Sequence, residues 1–222
     1  MDYLAGEILL INKPYRWTSF DVIRKLKNKL IAILNTKKFK IGHAGTLDPL
    51  ATGLLIVCTG KFTKKIDEFQ ALEKEYTGTI VLGATTPSFD LETEVDQTFS
   101  LEHINSELIH QVAKSFVGEQ EQVAPIYSAK KINGERAYNF ARRGENVEIK
   151  SNKITIFSFE ITKIDMPTVE FKIICSKGTY IRAIARDFGK ALDTGAHLSA
   201  LCRTRIGCFT LENALSIEEI SL

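Results

Sequence analysis

Apolar positions recur along this chain at two spacings, one of strands and one of helices. Residues 7–11 form a short apolar strand that the turn Asn12, Lys13, Pro14 should end, after which Thr18 or Ser19 can cap a helix carrying Phe20, Ile23, Leu26 and Leu30 at helical intervals. A polar, basic stretch over 35–40 leads into a segment framed by Gly42, Gly45 and Gly53, and that segment feeds an unbroken apolar run, Leu54, Leu55, Ile56, Val57, Cys58, of the kind a fully buried strand shows.

The pattern then predicts a helix from about residue 64, a strand over 76–84, a Thr-, Ser- and acid-rich loop over 85–100, and an amphipathic helix over 104–116. Asn133 and Gly134 mark a turn before a short basic helix ending near 144. Strands are expected over 153–164 and 169–175, with Lys177, Gly178 and Thr179 opening a helix over 180–192. A strand region over 197–209 and a short closing helix complete the series. No regular strand–helix–strand repeat appears, so the order fits an α+β fold better than a doubly wound sheet.

At 222 residues, with 44% hydrophobic and 25% charged, the chain suits one globular domain, taken here as residues 1–222. No apolar run approaches the about 18 residues of a membrane span, and the N-terminal residues do not resemble a signal peptide, so the expected compartment is the cytoplasm. The four cysteines form no C-x-x-C pair and read as reduced structural thiols; no metal site is expected. The net charge of +2 conceals segregation: residues 1–65 hold 12 Lys/Arg against 4 Asp/Glu, whereas residues 66–121 hold 2 against 12. Basic ends around an acidic middle suit a protein that lays one face on a polyanion.

The chemistry concentrates in GHAGTLDPLATG, residues 42–53. Pro49 restricts Asp48 to extended conformations, and Leu47, Leu50, Leu54 and Leu55 surround the acid with apolar neighbours. A desolvated carboxylate kept ionised by a cation is a reactive nucleophile, although an Asp-Pro pair by itself reads first as a plain turn. A nucleotide-binding loop is excluded nearby: before Gly60 and Lys61 the pattern needs glycine where Leu55 stands, and a hydroxyl residue where Phe62 stands.

The dodecapeptide resembles the catalytic signature of the TruB family of tRNA pseudouridine synthases. KEYTGTI, YSAKKINGERAY, CSKGTYIR and GAHLSALCRTRIG follow in that family's order, so the resemblance covers nearly the whole chain. It implies a pseudouridine synthase fold, with a mixed, largely antiparallel sheet flanked by helices and an RNA-binding cleft. The implied reaction is isomerisation of uridine 55 in the tRNA T-loop, without cofactor or net hydrolysis, by an enzyme expected to act as a monomer. Asp48 matches the nucleophile, attacking either ribose C1′ or the base. Arg182 matches the arginine that pairs with it, and Tyr76 the aromatic that stacks on the target base. Tyr180 and Leu201 match pocket walls. His43 matches the residue that fills the vacancy left by a flipped base. Lys13, Lys64, Lys65, Lys130, Arg142, Arg143, Arg203 and Arg205 are candidate phosphate contacts.

Two departures accompany the resemblance. Where relatives carry a loop like T-D-T-x-D-x-x-G, this chain reads TTPSFDLETEVD, and the chain ends at Leu222, before the small PUA-type RNA-binding domain common among bacterial relatives. Contacts from that loop are therefore left open, and no PUA domain is expected.

Overall fold

The computed structural model describes residues 2–36, 38–128, 131–132, 135–136, 140, 143 and 149–220. The chain divides into two compact units, residues 1–77 with 201–222, and residues 78–200. It passes from the first to the second within strand β4 (Lys74–Leu82) and returns within β12 (Ala196–Ile206). Strands predominate in both units, so the α+β expectation holds.

In the first unit, β1 (Ile8–Lys13) pairs antiparallel with β3 (Ala51–Thr59) and β2 (Ile41–Ala44) also pairs antiparallel with β3, while the end of β12 runs parallel to it, with Leu201 opposite Ala51 and Arg203 opposite Gly53. The unbroken apolar run in β3 now has its reason, because the strand is buried on both faces. Leu55 and Val57 pack with Leu9, Ile11 and helix α1 (Ser19–Leu34); Leu54, Ile56 and Cys58 pack with Ala44 and Ile206 on the other side. Each buried Leu, Ile or Val among them contributes about 1.5–3 kcal/mol by leaving water. Burial also pushes the Cys58 thiol up to about 11, which keeps it protonated and inert.

Thr18 caps α1 in a reciprocal box: its hydroxyl accepts from the Asp21 N–H at 3.0 Å, and its own N–H donates to the Asp21 carboxylate at 3.0 Å. The buried stripe is Val22, Ile23, Leu26 and Leu30; Phe20, expected in it, is 68% exposed because it lies about 100° around the helix from the centre of that stripe. The segment from residue 60 begins as a 3-10 turn, Gly60–Lys65, and only then becomes helix α2, Ile66–Ala71.

The second unit carries β5 (Ala84–Thr85) paired with β6 (Gln97–Thr98), helix α3 (Ser106–Ser115), β7 (Gly118–Gln122), β8 (Lys131–Ile132) paired with β9 (Glu135–Arg136), β10 (Asn152–Asp165), β11 (Thr168–Cys175) and helix α4 (Ile181–Ala191). Its main ribbon runs β4, β11, β10, β7, with β10 antiparallel to both β11 and β7. Phe116, Phe159, Phe171 and Phe188 meet edge-on or tilted, with ring centroids 5.4–6.1 Å apart, and fasten the helices to this ribbon. The first unit closes with β13 (Phe209–Thr210), which pairs back onto β12, and a 3-10 turn, Leu211–Asn213, where a closing helix was expected. The expected turn at Asn133 and Gly134 and most of the basic helix after it lie outside the described residues.

Candidate active site

Asp48 sits half-buried on the loop that joins β2 to β3. Four residues from three parts of the first unit hold that loop by its backbone. Ser19, at the start of α1, accepts from the Leu47 N–H at 2.9 Å and donates to the Leu47 carbonyl at 3.3 Å. The Arg16 N–H donates to the Pro49 carbonyl at 2.8 Å. Lys13 is wholly buried at the end of β1, and its ammonium donates to the carbonyls of Pro14, Trp17 and Pro49 at 2.9, 2.6 and 3.3 Å. Arg203, 1% exposed on β12, donates to the carbonyls of Leu54 at 2.8 Å and Gly45 at 3.1 Å. The turn closes on itself through the Ala51 N–H to the Asp48 carbonyl, 3.1 Å.

Glycine is required at two points of this frame. Gly53 has φ +103°, and a Cβ there would stand 2.4 Å from the Arg203 carbonyl oxygen. Gly45 has φ +95° and lets the loop turn beneath the Arg203 guanidinium.

These contacts correct two assignments. Lys13 and Arg203 were candidate phosphate contacts; both are buried, and all three ammonium protons of Lys13 are spent on carbonyls, so they build the loop instead of gripping RNA. Desolvation pushes the Lys13 ammonium down to about 8; the Asp48 and Asp21 carboxylates oppose that shift and the Arg203 charge adds to it. Asp48 is therefore embedded in a first-unit field that contains two buried cations.

His43 lies on β2 opposite Val57, half-buried, and burial, then the Arg203 charge, lower its pKa against a backbone hydrogen bond at Gly45, so the ring is neutral at neutral pH. Tyr76 is 8% exposed on β4, and Leu201 is half-buried, in register with Ala51 at the end of the Asp48 loop. Lys64 and Lys65 are exposed on the 3-10 turn, with the Lys65 ammonium 5.4 Å from the Phe62 ring centre. Arg205 is engaged with Glu73 at 2.7 Å. Lys130 and Arg142 lie outside the described residues, and Arg143 is exposed.

In the second unit Arg182 is 3% exposed on α4. Its guanidinium donates to the carbonyls of Tyr127 at 2.9 Å and Ser88 at 3.2 Å, and its Nε stands 3.5 Å from the Asp90 carboxylate. Asp90 was not anticipated. It lies in the divergent loop, 4% exposed, where the Thr86 and Ser88 hydroxyls donate to its backbone carbonyl at 2.6 and 3.2 Å and its Oδ1 accepts from the Glu92 N–H at 2.9 Å. A run of hydroxyl residues around one acid was the available signal. Tyr180, at the cap of α4, exchanges two hydrogen bonds with the buried Gln122 amide, at 2.8 and 3.1 Å, which sets where the helix and Arg182 begin.

Asp48 thus stands half-buried on a loop that two buried cations pin by its carbonyls, carried by the mixed sheet of an α+β fold. Two solved structures share the fold over 98% of this chain: a crystal structure of a Cbf5-Nop10-Gar1 complex, 28% identical with a TM-score of 0.72, and an H/ACA RNP bound to a substrate RNA containing 2′-deoxyuridine, 26% identical with a TM-score of 0.69. This chain spans about half of each of those chains, 54% and 53%. The model for the TruB family pseudouridylate synthase N-terminal domain matches residues 32–181, and the chain belongs to that family. Relatives named tRNA pseudouridine synthase B include one from Flavobacterium johnsoniae, 59% identical over 97% of this chain and 95% of its own length, and one from Parabacteroides distasonis, 57% identical over 99% and 94%.

Proposed function

We propose that this enzyme isomerises uridine 55 in the T-loop of tRNA to pseudouridine, with Asp48 as nucleophile. In that reaction the bond from ribose C1′ to uracil N1 breaks, the ring turns, and C5 takes up C1′. C5 gives up its proton and N1 gains one, so a single carboxylate serves where glycosidases need two. The observation that carries the reading is the Asp48 loop. Its backbone is held on both sides of the acid by Ser19, Arg16, Lys13 and Arg203, a braced turn that supports the reading of Asp48 as the reactive carboxylate. Tyr76 is assigned to stack on the target base, Leu201 and Tyr180 to wall the pocket, and His43 to fill the gap left by the flipped uridine, its neutral ring suited to stacking. Arg182 is assigned the family's arginine role, with Asp90 as the residue that positions its guanidinium.

Lys64, Lys65 and Lys130 are assigned to the phosphates of the T-arm. The chain is proposed to work as one catalytic domain, as a monomer, in the cytoplasm; among the described residues no helix is long and apolar enough to cross a membrane.

The test is a tRNA transcript carrying 5-tritiated uridine. Tritium release mapped to position 55 is the expected result. Release elsewhere only, no release, or appearance of free uracil would overturn the assignment.

A further inference from the structure

A second basic site lies on the face of the first unit where β1 meets α1. A cavity of about 250 Å³ opens there, lined by Arg16, Trp17, Asp21, Arg24, Lys25 and Asn28. That is below the about 300–1,000 Å³ of small-molecule sites, so it suits one phosphodiester of a chain better than a free nucleotide. Three cations line it against one carboxylate, and Asp21 is already engaged, accepting from the Thr18 hydroxyl at 2.6 Å and from Arg24 at 2.8 Å. Arg16 and Lys25 have no carboxylate partner among the described residues. Trp17 lines the cavity, and two exposed aromatic residues are close to it in the chain: Tyr15, 49% exposed with the Arg16 guanidinium 5.6 Å from its ring centre, and Phe20, 68% exposed.

Arg16 is the informative residue. Its φ is +66°, a left-handed conformation that glycine holds at much lower cost. A long cation kept on such a backbone, exposed to solvent, points to work done by its side chain. Its N–H is the donor to the Pro49 carbonyl, so the side chain is presented one hydrogen bond away from the residue that follows Asp48.

We infer that Arg16, Arg24 and Lys25 form a phosphate subsite for the substrate RNA, with Tyr15 and Phe20 as stacking faces for the adjoining bases, separate from the pocket of the reacting uridine. Cations interleaved with exposed aromatic rings are the chemistry that holds single-stranded and loop nucleotides. The inference rests on the reading of tRNA as substrate, and the excess of Lys and Arg in residues 1–65 favours RNA over an acidic protein as the occupant.

The experiment compares the full chain with Arg16→Gly, Lys25→Ala and the double variant, measuring tRNA dissociation constants across a salt series alongside KM and kcat. Glycine is at home at φ +66°, so Arg16→Gly should unfold no earlier in urea than the parent, which separates a binding defect from a folding one. The double variant should bind tRNA at least about 10-fold more weakly at physiological salt, with KM rising in parallel and the slope of log affinity against log salt falling by about 2. Arg16→Lys should recover most of the slope. Unchanged tRNA affinity and slope in the double variant, with the cavity then left to an acidic protein, would overturn the subsite. Wild-type protein that binds tRNA but forms no pseudouridine would instead overturn the proposed function.

Discussion

Arg203 and Arg182 are both almost wholly buried, yet the two arginines are held in different ways. Arg203, like Lys13, gives its donors to backbone carbonyls around the Asp48 loop. Arg182 has carbonyl partners too, but also the Asp90 carboxylate at 3.5 Å, on a loop laced by its own hydroxyls. A buried cation that grips backbone fixes a shape, whereas one set beside a positioned carboxylate has its planar fork aimed. The first arrangement braces the loop of the proposed nucleophile and the second holds a group proposed to take part in the reaction.

The largest effect should come from breaking the frame. Gly53→Ala puts a Cβ 2.4 Å from the Arg203 carbonyl oxygen at a φ that only glycine tolerates well, and should cost on the order of 4 kcal/mol in urea unfolding. Arg203→Met keeps bulk but leaves the Leu54 and Gly45 carbonyls without their donor; a loss of about 3 kcal/mol is expected. If Arg203 instead served RNA, its removal would weaken binding with stability unchanged.

Asp90→Asn tests the other side of the comparison. It keeps the shape and removes the charge that aims Arg182, so stability should fall by about 2 kcal/mol and kcat by about 10²-fold, with KM nearly unchanged. A purely structural Asp90 would lower stability and leave kcat of the folded enzyme intact.

A further effect is in pH. The folded protein sheds the Lys13 proton near pH 8, whereas the unfolded chain keeps it to its ordinary 10.5. The unfolded state binds more protons in that window, so the Lys13 contribution to stability rises with pH between about 8 and 10.5. Urea midpoints measured across this range should show the rise in the parent and lose it in Lys13→Met.

This contrast also separates what was legible in the sequence from what was not. The Thr18 cap, the α1 stripe from Ile23 onward, the buried β3 run and the loop position of Asp48 all follow from residues close together in the chain, where spacing carries the information. Arg203 is held by carbonyls 149 and 158 residues away and Lys13 by one 36 residues away besides two local ones, and long cations are so rarely buried that their type argues for solvent. Asp90 escaped for the same reason: its partner Arg182 lies 92 residues on, and a Thr- and Ser-rich loop reads as exposed. Strand β7, with the sequence GEQEQ, offers no apolar pattern; among the described residues it is the outer member of its ribbon, paired to β10. Strand β2 is four residues long and contains a glycine, and only its pairing with β3 makes it a strand.

The central claim is that Asp48 is the group the whole frame serves. Asp48→Asn is nearly isosteric, so tRNA binding and urea stability should stay close to the parent while pseudouridine formation at position 55 falls by on the order of 10⁴-fold. Pseudouridine formed by the variant at a rate near that of the parent would contradict the account.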